Sequence, residues 1–147
     1  MLRRLACCLL ALSPLVALPA HGADKQPIVA IEVHSQVQRQ GRDLRSDLRT
    51  MVQRGVDGLD FHKTPQKARF TLSASLLSLE TSEQGGKVRS SARVSVLLRD
   101  AQGGAVRAVL NGRATAEDAP GAQGRAEQGA LEAAVVGALR PVPEAVR

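Results

Sequence analysis

The chain has 147 residues, a formal net charge of +6, two cysteines, and two phenylalanines as its only aromatic residues. This length allows one domain with one hydrophobic core and excludes a multidomain arrangement. The scarcity of aromatic rings also argues against nucleic acid as a partner, because proteins that bind single strands stack the bases on aromatic side chains.

The first 23 residues predict a cleavable secretory signal peptide. Arg3 and Arg4 precede an apolar stretch from Leu5 to Leu18, and small residues follow it. This sequence of a positive start, an apolar middle and a small-residue end is typical of such signals. The apolar stretch is also shorter than the ~20 residues of a membrane-spanning helix. We expect cleavage near Gly22 or Ala23; an uncleaved amino-terminal anchor is the alternative.

Cysteine usage indicates the compartment. Cys7 and Cys8 both lie within the predicted signal, so the mature chain can form no disulfide of its own. A small exported domain without disulfides fits a bacterial periplasm better than a disulfide-dense extracellular module. Neither cysteine has the position of a lipidated cysteine, because the apolar segment follows them instead of preceding them. The expected location is therefore periplasmic or secreted, with no transmembrane helix in the mature chain.

A strand and a helix open the mature domain. Alternation predicts a strand from Pro27 to Val37, with these side chains on its buried face: Val29, Ile31, Val33 and Val37. An amphipathic helix follows, because apolar residues recur at steps of three and four: Leu44, Leu48, Met51, Val52, Val56 and Leu59. Asp43 is predicted in its first turn, where a negative charge suits the helix dipole. Gly58 is the predicted stop.

Three further strands are predicted between residues 69 and 115. Their inward side chains are Phe70, Leu72, Ala74 and Leu76; then Val88, Ala92, Val94, Val96 and Leu98; then Val106, Ala108, Leu110, Gly112 and Ala114. Short Gly-Gly connections at 85–86 and 103–104 join them, which is typical of antiparallel hairpins.

An Ala-rich helix from about Arg125 to Arg140 closes the domain, and Pro141 ends it. The fold class is therefore α+β: an antiparallel sheet of about four strands with two helices packed on one face, in the order β-α-β-β-β-α. Residues 24–140 form a single domain and residues 141–147 an irregular tail. We expect one core to bury these residues together: Leu48, Val52, Leu72, Val94, Val96, Leu110 and Val135.

Candidate chemistry is sparse. The segment from Asp57 to His62 is the only local grouping of metal-capable side chains, and a helix end followed by a solvated turn is its simpler interpretation. Glu32 and His34 share a strand face, but no motif places a nucleophile beside them. We therefore predict no catalytic residue, no cofactor and no metal ligand. The alternative is a small periplasmic hydrolase or metal-dependent enzyme that uses the Asp57–His62 segment.

The more informative feature is a set of arginines. Strand alternation projects these from the face opposite the core: Arg69, Arg89, Arg93, Arg99, Arg107 and Arg113. Guanidinium groups match carboxylate and phosphate geometry, so this face could bind an envelope protein or an anionic wall or lipid component. A solvated outer face that keeps the sheet soluble is the favoured interpretation. A three-residue loop centred on Gly103 would place Arg93 opposite Arg113 and Arg99 opposite Arg107.

Apolar residues interrupt this outer face. By the same alternation, these residues point outward with the arginines: Leu77, Leu79, Leu97 and Val109. They could form an exposed strip, mark a partner surface, or be redirected by a β-bulge near Leu76-Leu77 that turns the end of the strand inward. The bulge is the favoured interpretation.

The order of elements resembles a group of small bacterial envelope domains. The segments that carry the resemblance are the leading strand Ile28 to Val33, the amphipathic helix, Ala-Arg-Phe-Thr-Leu-Ser-Ala-Ser-Leu, Val-Ser-Val-Leu-Leu-Arg-Asp-Ala-Gln-Gly-Gly and the closing helix. The group comprises the amino-terminal domain of TolB, the curli-secretion lipoprotein CsgG and the penicillin-binding-protein activator LpoB. The resemblance covers most of residues 27–140 and implies a periplasmic, non-enzymatic binding or assembly module. It carries over no functional residue, since no motif position matches and the lipidated cysteine of the lipoprotein members is missing.

Overall fold

The structure, a computed structural model, describes residues 26–39 and 41–147. Its elements, in chain order, are β1 (Ile28–Ser35), α1 (Leu44–Asp57), β2 (Phe70–Gln84), β3 (Lys87–Asp100), β4 (Val106–Asp118), α2 (Gln123–Leu139) and α3 (Val142–Ala145). This order confirms the predicted α+β class. The predicted signal peptide and its cleavage site lie outside the described residues. Within the described ranges, no helix is long and apolar enough to cross a membrane.

The sheet has the strand order β1-β2-β3-β4. Strands β2, β3 and β4 form two antiparallel hairpins, as predicted. Their turns use Gly85, Gly86 and Gly104 at positive φ, a conformation that side chains with a Cβ rarely adopt. Strand β1 pairs with β2 in parallel, since helix α1 carries the chain back between them. The sheet is therefore mixed, with one parallel pair at the β1 edge.

Helix α1 ends where the sequence predicts and begins one residue after Asp43, which was predicted in its first turn. Asp43 is its N-cap, and the carboxylate Oδ1 accepts the backbone N–H groups of Arg45 and Ser46, each at 3.1 Å. Gly58 is the C-cap. The buried stripe of the helix consists of Leu44, Leu48, Val52 and Val56. This stripe fixes α1 against the sheet.

Helix α2 packs across β3 and β4 on the same face of the sheet as α1. The core between the helices and the sheet is aliphatic except for Phe70. The residues predicted to be buried together are buried, except Leu110, which is half-buried on the edge strand β4. At Gly112 the helix approaches the strand so closely that an added Cβ would lie 1.9 Å from the carbonyl oxygen of Ala134. Both helices therefore cover one face, and none of the helices in the described part of the chain lies on the opposite face.

Two inward positions were predicted wrongly. Val29 is 55% exposed, whereas Ile28 is buried, because the β1–β2 register shifts between Ile28 and Ala30. Val106 is 57% exposed, because the β3–β4 register also shifts, after Leu98. Each irregularity breaks the strict alternation on which the prediction rested.

The carboxyl-terminal tail is also a correction. Residues 141–147, predicted to be irregular, contain helix α3, and Val142 and Val146 are buried in the core. Pro141 ends α2 but serves as the N-cap of α3, and Pro143 lies in its first turn. Proline is tolerated there because the first backbone N–H groups of a helix have no intrahelical partner.

Candidate functional site

The candidate site is the open face, which we define as the surface of the sheet opposite α1 and α2. Its outward side chains include Glu32 and His34 from β1; Thr71, Ser73, Ser75 and Glu80 from β2; Arg93, Ser95, Leu97 and Arg99 from β3; and Val109, Asn111, Arg113 and Thr115 from β4. Hydroxyl and amide groups fill its centre. The face therefore offers hydrogen-bonding groups flanked by charges.

Three of the predicted arginines are engaged by neighbouring groups. Arg69 lies in the loop before β2 and its Nη1 donates to two loop carbonyls at 2.8 and 3.0 Å. The guanidinium of Arg89 donates through Nε to Glu117 at 2.8 Å. Arg107 forms a salt bridge with Asp100 at 3.5 Å. Arg69, Arg89 and Arg107 therefore already have partners within the chain.

The pKa values of the two carboxyl partners agree with this assignment. The hydrogen bond and charge of Arg89 hold the pKa of Glu117 below its ordinary value. The pKa of Asp100 is lowered mainly by hydrogen bonds from the backbone N–H groups of Gln102 and Gly103, with a smaller contribution from Arg107. Both carboxyl groups are therefore ionised at neutral pH and stay paired with their arginines.

The remaining three, Arg93, Arg99 and Arg113, form what we call the arginine trio. All three side chains are exposed, and within residues 26–39 and 41–147 none of them forms a salt bridge. Arg93 Nε donates to Ser78 Oγ at 3.2 Å. The trio is thus a group of unneutralised guanidinium groups on β3 and β4.

The register of the trio was predicted in part. Arg93 lies directly opposite Arg113, as the loop length indicates. The predicted pairing of Arg99 with Arg107 is wrong, because the register shift places Val106 opposite Arg99. Like charges that face each other across strands destabilise a sheet. The Arg93–Arg113 pair therefore carries a cost that an anion bound between the two side chains would relieve.

The β1–β2 side of the open face carries the opposite charge. Glu32 accepts a hydrogen bond from Ser73 Oγ at 2.7 Å, and Glu80 is exposed further along β2. The face therefore has an acidic half on β1 and β2 and a basic half on β3 and β4.

Apolar groups lie among these charges. Leu97 and Val109 are directly opposite each other, and Val109 is 59% exposed. The favoured bulge is confirmed: the β2–β3 register shifts between Leu76 and Ser78, which turns Leu79 into the core and leaves Leu77 at 40% exposed. Three of the four apolar residues in question thus remain on the open face.

The Asp57–His62 segment does not form a compact ligand set. It lines a groove of about 930 Å³ at the end of the sheet. Asp57 Oδ1 accepts from Gln53 at 2.9 Å, while Asp60 Oδ1 accepts the backbone N–H of His62 at 2.9 Å. The His62 side chain is 90% exposed. Among the described residues, no three His, Cys, Asp or Glu side chains are close enough together to hold a metal ion.

The sequence reasoning missed a buried polar cluster around Glu127. Glu127, on α2, is only 4% exposed. Its carboxylate accepts hydrogen bonds from Thr81 Oγ1 at 3.0 Å and from Gln123 Nε2 at 3.1 Å. Arg39 and Arg42, from the loop before α1, lie 3.3 and 3.5 Å from it. The cluster ties that loop to α2 and β2. No sequence motif could have signalled it, since the partners are far apart in the chain.

The ionisation of Glu127 follows from these contacts. Burial raises the pKa of its carboxyl group, but the hydrogen bonds from Gln123 and Thr81 and the charges of Arg39 and Arg42 outweigh burial. The net result is a pKa below the ordinary value. Glu127 is therefore an ionised structural anchor on the helix side of the sheet, away from the open face.

No family model matches this sequence, and no curated protein matches it. Among solved structures, the fold is similar to the PelC dodecamer from Paraburkholderia phytofirmans, with TM-score 0.50 and 14% identity over 82% of this chain and 89% of that one. A variant of the same dodecamer gives TM-score 0.51 and 15% identity over 82% and 88%. A minor lipoprotein from Acinetobacter baumannii gives 0.43 and 11% over 82% and 90%. The similarity to the two PelC structures shows a shared fold; the narrower resemblance to TolB, CsgG and LpoB stays a prediction.

Proposed function

We propose that this protein is a non-catalytic module of the bacterial cell envelope that binds its partner through the open face. The observation that carries the proposal is the arginine trio, whose guanidinium groups are exposed, form no salt bridge with any of the described residues and lie beside a row of hydroxyl groups. Such groups recognise carboxylates and phosphates. The partner therefore presents anionic groups, as an envelope protein, a wall polymer or a lipid headgroup does.

One observation supports the envelope as the site of action: the amino-terminal residues have the composition of a secretory signal. The similarity of the fold to that of PelC, which is solved as a dodecamer, supports a role in assembly. The exposed position of the His62 side chain favours this binding role over the metal-dependent enzyme, as does the finding that no three metal-capable side chains of the described residues come close together.

The proposal is tested by removing the charge of the trio. The variant Arg93→Gln, Arg99→Gln, Arg113→Gln is compared with the wild type on heparin-agarose, a polyanionic probe, loaded at low protein concentration. We expect the variant to elute at clearly lower salt, because exposed charges attract a polyanion and salt screens that attraction over ~10 Å at 0.1 M.

A matched control variant loses the same number of positive charges from the side of the protein that carries α1 and α2. Arg49, Arg54 and Arg140 are exposed residues of α1 and of the end of α2, and replacing all three with Gln should leave elution close to that of the wild type. Equal losses in the two triple variants would mean that total charge, and not the open face, governs binding. That result would contradict the proposal.

A further inference from the structure

The charges of the open face are arranged in two halves of opposite sign. The acidic half carries Glu32 and Glu80 on β1 and β2, and the basic half carries the arginine trio on β3 and β4. The two halves lie side by side across the strands. A second face of the same kind can therefore neutralise both halves at once, provided that it lies in the correct orientation.

We infer that the partner of the open face is a second copy of this chain, bound face to face about a two-fold axis. This inference rests on the proposed function, since it takes the open face as the binding surface. A two-fold axis between the sheets and parallel to the strands places β1 and β2 of one copy over β3 and β4 of the other. The carboxylates of Glu32 and Glu80 then supply the anionic groups that the arginine trio lacks.

The alternative two-fold axis in the same plane, perpendicular to the strands, places β1 over β1 and β4 over β4. It would set the arginine trio of one copy against the trio of the other, and like charges brought together across an interface cost several kcal/mol. Charge therefore selects the axis parallel to the strands. The contact is isologous, so it closes as a dimer and does not continue into a chain of copies.

The size of the open face suits such a contact. With a strand spacing of ~4.8 Å and a rise of ~3.3 Å per residue, the four strands present about 790 Å². A stable interface buries ~800 Å² on each partner. Apolar side chains lie within this area, where Val109 is 59% and Leu77 is 40% exposed, with Leu97 beside Val109. Sheets that pack face to face interdigitate such residues at a separation of ~10 Å.

The test exchanges the charges of the two halves. One variant carries Glu32→Arg and Glu80→Arg, and a second carries Arg93→Glu and Arg113→Glu. We expect sedimentation equilibrium at low salt to give twice the chain mass for the wild type. Each variant alone should sediment as a monomer, with the dissociation constant of the dimer raised at least ~10-fold. An equimolar mixture of the two variants should restore the dimer, because the basic face of one then meets the mainly acidic face of the other, where Arg99 is the member of the trio that remains.

The control is Arg49→Glu with Arg54→Glu on α1, which should remain dimeric, and far-UV circular dichroism confirms that each variant is folded. A monomeric wild type at hundred-micromolar concentration would overturn the inference. So would an assembly larger than a dimer, or charge-exchanged variants that do not recombine when mixed. If the wild type is monomeric but its heparin retention still depends on the arginine trio, the proposed function stands and only the second copy is excluded.

Discussion

At the scale of single residues, the closest approach between layers is at Gly112. A Cβ there would lie 1.9 Å from the Ala134 carbonyl oxygen and 2.8 Å from the Ala138 backbone nitrogen. Because both atoms belong to the backbone of α2, a rotamer change cannot relieve the clash, and the helix itself would have to move. The residue type at this position therefore sets the distance between α2 and the sheet.

This contact predicts that replacing glycine with alanine changes the free energy of unfolding in opposite directions at two positions. Gly112→Ala should lower the free energy of unfolding by at least ~1–3 kcal/mol, the usual cost of overpacking a core. Gly137→Ala is the matched change at an exposed position of α2, where the added Cβ would be 4.0 Å from the nearest atom. It should stabilise the protein by up to ~1 kcal/mol, since alanine favours a helix over glycine. Urea unfolding of both variants measures this, and equal effects would contradict the packing described.

Glu127 is the second residue whose environment makes a prediction. Its carboxyl pKa is lowered in the folded state, so ionised Glu127 stabilises the fold above the ordinary glutamate pKa. That contribution is lost as the pH falls through the lowered value. Glu127→Gln should therefore unfold more easily at pH 7, by about 1–3 kcal/mol, because Arg39 and Arg42 lose their buried counter-charge but keep partial solvent access.

The measurement is the free energy of unfolding between pH 3 and pH 7. The difference between the wild type and Glu127→Gln should shrink as the pH falls, because the wild-type carboxylate becomes protonated. Glu132→Gln, at an exposed position of the same helix, is the control and should change little. A pH-independent difference for Glu127→Gln would show that the carboxylate charge is not what stabilises the cluster.

At the scale of elements, the bulge in β2 decides which leucine belongs to the core. Leu79 is 4% exposed, whereas Leu77, two residues earlier, is 40% exposed. We predict that Leu79→Ala costs ~2–4 kcal/mol, as expected for a buried leucine. Leu77→Ala should cost less than ~1 kcal/mol. Chemical denaturation of the two variants is the test; a larger loss for Leu77→Ala would mean that the register shift is misplaced.

Some features of the strands and helices could be predicted from the sequence, and others could not. Alternation and turn glycines were sufficient to predict β2, β3 and the pairing of Arg93 with Arg113, because these features depend on local spacing. The predictions that Val29 and Val106 point inward were wrong, because a register shift leaves no distinctive residue in the sequence. The Glu127 cluster was not predicted, for another reason. Thr81 and Arg42 contact Glu127 only after the sheet and α2 have packed.

At the scale of the whole molecule, export is the premise of the proposed function. We predict that the protein recovered from the cell is cleaved near Gly22 or Ala23 and found in the periplasmic fraction. Intact-mass measurement of the fractionated protein checks both points. A full-length species confined to the cytoplasm would rule out an envelope partner, because the open face would never meet one.

The central claim is that the open face is where this protein binds, and photo-crosslinking inside the cell tests it most directly. Val109 on the open face is 59% exposed and Val136 on α2 is 52% exposed, so the two sites match in exposure and lie on opposite sides of the sheet. A photoreactive residue at each position is irradiated in turn. We predict a discrete crosslinked adduct from position 109 and none from position 136. Adducts from position 136 alone, or equally from both, would contradict the account.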